Sequence, residues 1–253
     1  MKVKLNKIMT KGKAFYLAYD QGMEHGPVEF NDKNVDPRYI IEIAQKGKFN
    51  AMIFQKGIAE KYNKEIKKSK VPLIIKLNGK TSLSQTEPLS KQICSVKEAL
   101  KLGAVAVGYT IYIGSDYENI MLKEFDTIEK EAHARGIPVI AWIYPRGKGV
   151  KGKSPVELMA YAARVGLEIG ADIVKLKREG DLHDLHWTVQ CAGKTKVVVA
   201  GGIKEEEGAF LRDIRDVMRA GAMGVAVGRN IWKAKNPFEL SKRAREIVFN
   251  KYS

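Results

Sequence analysis

The stretch Ala171-Asp172-Ile173-Val174-Lys175-Leu176-Lys177 places two lysines inside what otherwise reads as a β-strand. Successive strand side chains face opposite ways, so Ile173, Lys175 and Lys177 share one face and Val174 and Leu176 the other. In a parallel sheet both faces are covered, and an unpaired ammonium buried there is costly. Either this strand is a wet edge, or a lysine is present for chemistry. The chemistry open to a buried amine is imine formation. A neutral lysine attacks a ketone or aldehyde, and the protonated imine withdraws electrons from the adjacent carbon–carbon bond. An ordinary lysine, with pKa near ~10.4, is neutral in only about one molecule in 2,500 at pH 7. Desolvation and a nearby cation raise that fraction, and Lys76 on another strand is such a cation. Parity cannot separate Lys175 from Lys177, but depth can. Lys177 lies roughly 6–7 Å nearer the strand end. Lys175 is therefore the expected nucleophile and Lys177 a supporting cation that helps keep it uncharged.

An imine lysine needs proton-transfer groups. Tyr144 and Asp20 are the candidates, with Glu24 and His25 in reserve. Tyr144 needs its phenol tuned by nearby cations to exchange protons with carbon. Trp142, of the same parity and one layer deeper, reads as a wall of the pocket. The plain alternatives are a rim tyrosine and an "EHG" segment that only shapes a loop. Two apolar runs, "VVVAGGIK" and "VAVGRNIW", end in glycine. Gly201, Gly202 and Gly228 would let backbone N–H groups approach a phosphate, and Arg229 would add a charge-assisted contact. Tight turns without a ligand are the alternative there. His183-x-x-His186 reads as a solvated helix start, since zinc would need more ligands. No GxSxG pattern is present, and the expectation is neither metal nor cofactor.

One pattern recurs around these residues: an amphipathic stretch, a glycine, then a short apolar strand. The glycines are Gly47, Gly103, Gly136, Gly170, Gly193 and Gly221. Each is expected to supply the left-handed turn that ends a helix. Strands are predicted near 14–19, 51–54, 72–77, 104–108, 138–143, 172–177, 196–200 and 223–227. Asp36-Pro37, Ser154-Pro155 and Asn236-Pro237 mark helix starts. Eight strand–helix units predict a single α/β domain over 1–253, a (β/α)₈ TIM barrel, with chemistry at the C-terminal strand ends. An open doubly wound sheet fits less well, because the units are evenly spaced and no early glycine-rich fingerprint appears. The polar segment after the third strand reads as a long loop on the active face.

The net charge is +15 and the pI about 9.6. A nucleic-acid binder is one reading. However, the basic runs "KYNKEIKKSK" and "RGKGVKGK" hold a single aromatic between them, Tyr62, and a positive field equally suits anionic metabolites such as sugar phosphates. No apolar run is long enough to span a membrane, and "MKVKLNKIMTKGK" is not a secretory signal. Cys94 and Cys191 are far apart and suit a reducing cytoplasm. Abundant lysine and glutamate with few cysteines is a bias of thermophiles.

The motifs "LAYDQGMEHGP", "FQKGIAEKY", "LIIKLNGKTSL", "GAVAVGYTIYIGS", "YPRG", "GADIVKLK" and "AVGRNIW" together resemble the archaeal-type class I fructose-1,6-bisphosphate aldolases over nearly the whole chain. The resemblance implies a barrel that cleaves the bisphosphate reversibly to dihydroxyacetone phosphate and glyceraldehyde 3-phosphate, without metal, through a Schiff base. It places the imine lysine on Lys175, the catalytic tyrosine on Tyr144, the acid on Asp20 and the tryptophan on Trp142. Phosphate contacts fall on Gly201-Gly202 and Gly228-Arg229. Arg146, in the basic loop, is a candidate for the distal phosphate. The resemblance also implies a cytoplasmic homo-oligomer, of the kind built from two stacked five-membered rings, with a phosphorylated sugar as substrate and no obligate nucleic acid or membrane partner. Two positions depart from the family pattern: Gln21 stands where histidine is common, and Ala200 where serine is common. Related Schiff-base enzymes, including 2-amino-3,7-dideoxy-D-threo-hept-6-ulosonate synthase, share the lysine. A non-catalytic basic barrel is the alternative of another class.

Overall fold

Eight short apolar runs pair side by side in chain order until the last meets the first. In the computed structural model, which describes residues 3–202 and 204–249, they are β1 (Ala14–Ala18), β2 (Ala51–Gln55), β3 (Leu73–Lys76), β4 (Ala104–Ile111), β5 (Val139–Ile143), β6 (Ile173–Leu176), β7 (Lys196–Ala200) and β8 (Gly224–Val227). All pairings are parallel, and β1 bonds both β2 and β8, which closes the (β/α)₈ barrel. The helices are α1 (Gly22–His25), α2 (Pro37–Lys46), α3 (Lys56–Lys61), α4 (Asn63–Ser69), α5 (Val96–Lys101), α6 (Glu118–Ala134), α7 (Pro155–Glu168), α8 (Leu182–Cys191), α9 (Glu207–Arg219), α10 (Arg229–Trp232) and α11 (Pro237–Phe249).

Strand parity sorts the core into two layers. Ile173 joins Tyr16, Ile53, Ile74, Ile140, Trp142 and Val198 inside the barrel. Val174 and Leu176 face outward into the layer between barrel and helices. The helices complete that layer with 3.6-residue periodicity. On α9, for example, Phe210, Leu211, Ile214, Val217 and Met218 are the buried positions. Asp36 and Ser154 cap α2 and α7, each followed by proline in the first turn.

Three expectations need correction. Gly47 is not left-handed; its φ is −73°, and Lys48 takes the positive φ of 52°. Glycine is required at 47 by space, since a Cβ there would lie 2.7 Å from the Phe49 ring and 2.9 Å from the Ile43 carbonyl oxygen. The fourth strand does not stop at 108 but continues to Ile111, because Tyr109, Thr110 and Ile111 pair with β5. The segment after β3 is not all loop: Asn78–Gly79 and Lys91–Gln92 form a two-stranded antiparallel sheet. Among the described residues no helix is long and apolar enough to cross a membrane.

Candidate active site

Lys175 sits in the middle of β6, in register with Trp142 on β5 and Val198 on β7. It is 5% exposed and points into the barrel, with Nζ 5.1 Å from the centre of a Trp142 ring. Trp142 fits because Gly108 stands across from it. A Cβ at 108 would come 1.4 Å from an indole carbon. Burial lowers the Lys175 pKa to about 8; Asp20 opposes the shift, Lys76 adds to it and Glu24 opposes it. At pH 7 roughly one Lys175 in ten is then neutral, against about one in 2,500 for a free lysine. The expectation of a proton-free amine therefore becomes one of a readily deprotonated amine. The assumed helper was also wrong. Lys177 lies beyond the end of β6, exposed, and its surrounding charges are Arg146, Glu179, Glu24 and Arg229. Lys76 is the cation that acts on Lys175.

Asp20 follows β1, and its carboxylate lies 3.4 Å from Lys76 Nζ, at the end of β3. Burial alone would raise its pKa, but Lys175 and Lys76 hold it below the ordinary value. Asp20 is therefore an ionised acceptor. Tyr144, just past β5, is held in place by its N–H bond to the Ile111 carbonyl at the exit of β4. Burial, Asp20 and Glu24 push the phenol well above its ordinary pKa, outweighing Arg146. The cations thus do not activate Tyr144 as a base, and it stands as a protonated donor. His25, at the end of α1, is lowered by burial, with Glu24 opposing.

The residues given catalytic or substrate-binding roles from the sequence line one cavity of 280 Å³ at the C-terminal strand ends: Asp20, Glu24, His25, Lys76, Trp142, Tyr144, Arg146, Lys175, Lys177, Gly201, Gly202, Gly228 and Arg229. Gln21 and Ala200 line it as well. Lys76, Lys175, Lys177, Arg146 and Arg229 outweigh Asp20 and Glu24, so the cavity attracts anions. A Cβ on Gly201 would press on the Val227 side chain at 3.1 Å. Gly202 has φ +65°, which favours glycine, and a Cβ there would have nothing within 4 Å. Ile203 of the same motif lies outside the described residues.

Sequence reasoning missed the supports of the two arginines. Glu24 is no spare proton shuttle. Its Oε1 accepts from Arg146 Nη1 at 2.7 Å and from the Tyr112 hydroxyl at 3.1 Å, and Arg146 also lies over the Tyr112 ring. Glu29 accepts from Arg229 Nη1 at 3.1 Å and from Lys233 Nζ at 2.5 Å. Of the basic loop after β5 only Arg146 reaches the cavity, while Lys148 pairs with Asp116. Asp181, His183 and Asp184 bring ligand-type atoms within 4.8 Å of one another, but Asp181 and Asp184 are engaged in the capping box of α8. His186 turns away, its Nδ1 3.3 Å from the Ala220 carbonyl.

The chain is 46% identical over 242 residues to the class 1 fructose-bisphosphate aldolase of Thermoproteus tenax, covering 94% of this chain and 90% of that one. It is 37% identical over 236 residues to the fructose-bisphosphate aldolase/6-deoxy-5-ketofructose 1-phosphate synthase of Methanocaldococcus jannaschii, covering 87% and 76%. Its fold matches an archaeal fructose-1,6-bisphosphate aldolase whose catalytic lysine is covalently bound to the carbinolamine intermediate, with TM-score 0.92, 43% identity and 98% of each chain covered. A family model described as DeoC/LacD family aldolase matches residues 14–234, a span that holds all eight barrel strands and the whole cavity lining, and the chain belongs to that family.

Proposed function

We propose that the chain is a class I fructose-1,6-bisphosphate aldolase, working through an imine on Lys175 without a metal. The carrying observation is the Lys175 amine, buried, lowered to about 8, and sharing one anion-attracting cavity with the glycine loops. The names of the Thermoproteus tenax relative and of the matching solved structure support this substrate.

The open-chain ketose lies with its C1 phosphate at Gly201, Gly202, Gly228 and Arg229, its C2 carbonyl at Lys175, and its distal phosphate at Arg146. Lys175 gives up its proton and attacks C2 to form a carbinolamine; that proton returns to the carbinolamine hydroxyl, which leaves as water, and the protonated imine remains. The Trp142 ring offers that cation a favourable face. Ionised Asp20 takes the proton of the C4 hydroxyl. The C3–C4 electron pair moves into the iminium, glyceraldehyde 3-phosphate departs, and an enamine remains. The Tyr144 phenol protonates C3 of the enamine, and the proton on Asp20 restores the phenol. Water then hydrolyses the imine, freeing dihydroxyacetone phosphate and Lys175. Lys76 serves throughout as the buried counter-ion of Asp20. A homo-oligomer in the cytoplasm is part of the same proposal, and size-exclusion chromatography with light scattering tests the assembly.

Borohydride reduction with dihydroxyacetone phosphate, followed by peptide mass mapping, tests the mechanism. The adduct is expected on Lys175. An adduct on Lys177 would displace the assignment, and no adduct would remove the imine altogether.

A further inference from the structure

Asn230 does not line the cavity, yet it is a buried polar side chain, 1% exposed, directly behind the loop after β7. Its Nδ2 donates to the Gly201 carbonyl at 2.6 Å, and its Oδ1 accepts from the Glu205 N–H at 2.8 Å. The neighbouring Arg229 donates from Nη2 to the Gly202 carbonyl at 2.9 Å. Both glycine carbonyls of this loop are thus tied to the start of α10. A trans peptide points its N–H opposite to its C=O, and there are no cis peptides in the described chain. Holding the Gly201 carbonyl on Asn230 therefore directs the Gly202 N–H away from Asn230. Gly202 lines the cavity and Asn230 does not.

We propose that Asn230 is a positioning residue for the phosphate next to the reacting ketone: it fixes the peptide plane that presents the Gly202 N–H to that phosphate. The inference rests on the aldolase reading, in which the C1 phosphate meets this loop. Asn230 touches no reacting atom and acts through the backbone. Removing its amide frees the Gly201–Gly202 peptide to rotate, and a backbone donor aimed at a dianion is lost. A charge-assisted hydrogen bond of this kind corresponds to roughly ten- to a hundredfold in affinity.

The test compares two ketones that differ only in the phosphate. Half-saturating concentrations for borohydride trapping are measured with dihydroxyacetone phosphate and with dihydroxyacetone, in the wild type and in Asn230→Ala. The value for dihydroxyacetone phosphate is expected to rise about tenfold or more, and that for dihydroxyacetone to stay within about twofold. A half-saturating concentration does not depend on how much of the variant folds. If Asn230→Ala does not accumulate, Asn230→Gln, whose amide is displaced by one methylene, is expected to show the same selective rise at smaller size. Equal effects on both ketones, or none on either, would overturn the proposal while leaving the aldolase reading intact. Failure of the wild type to trap either ketone would sink that reading, and this inference with it.

Discussion

Lys175 costs this protein stability, and the cost can be measured. Replacing it by methionine keeps an unbranched side chain of similar reach and removes the charge. The amine is lowered from 10.5 to about 8 on folding. That difference corresponds to about 3 kcal/mol at ~1.36 kcal/mol per unit. The sign follows from proton counts. Between pH 8 and 10.5 the unfolded chain binds the Lys175 proton and the native chain does not, so wild-type stability rises with pH across that window. Below about 8 both states are protonated and the full penalty applies; above 10.5 neither is, and it vanishes. Lys175→Met is therefore expected to be more stable than wild type by about 3 kcal/mol at pH 7, with the gap closing from pH 8 upward. For a chain of this length that is a rise in Tm of roughly 6–12 °C. Urea or thermal unfolding of both proteins, at matched protomer concentration and at pH 7, 9 and 11, reads the gap directly. A variant no more stable than wild type at pH 7, or a gap that does not change with pH, would refute the claim that Lys175 is held in a dry and unfavourable site.

The other outcomes concern single contacts. Tyr144→Phe should still give the borohydride adduct on Lys175 while cleavage of the bisphosphate falls by about 10²- to 10⁴-fold; loss of the adduct itself would assign Tyr144 to imine formation instead. Arg146→Ala should raise KM for fructose 1,6-bisphosphate by about tenfold or more and leave fructose 1-phosphate unaffected. Equal effects on the two substrates would remove Arg146 from the distal phosphate. Gly108→Ala puts a methyl group 1.4 Å from the present position of Trp142. It should destabilise by about 1–3 kcal/mol or more and weaken imine trapping as the indole is displaced; a variant with native Tm and native trapping would show that the indole has slack.

The barrel and its site were legible where the signal is local. Glycine junctions and period-two alternation gave the strand count, and residues at strand ends converge wherever eight strands close. What stayed hidden depends on contacts distant in the chain. Glu24 and Arg146 are 122 residues apart, and nothing in "EHG" says that its glutamate anchors an arginine after β5. Glu29 and Arg229 are separated by 200 residues. Parity placed Lys175 and Lys177 on one face but could not reveal that β6 ends at Leu176, which puts the second lysine in solvent and leaves the charge effect to Lys76. Gly108 looked like a strand end because its true partner, the Trp142 ring, comes from the next strand.

A buried amine needs a cavity, and the cavity comes from withheld side chains. Ala18, Ala200, Ala226, Gly201 and Gly228 line it alongside the charged groups. At Gly228 even a Cβ would meet the Ala18 carbonyl oxygen at 2.8 Å. Larger apolar residues at Ala18 or Ala226 would add contacts and displace the substrate. The barrel therefore gives up packing at its catalytic end and recovers it elsewhere. Within the barrel, Tyr16 and Trp142 share one buried cluster with Ala14, Ala51 and Ala106. Outside, the apolar faces of the strands pack continuously against the helices. Because the outer layer carries the fold, the inner end can hold Lys175 at an electrostatic cost that a site built on loops alone would relax away.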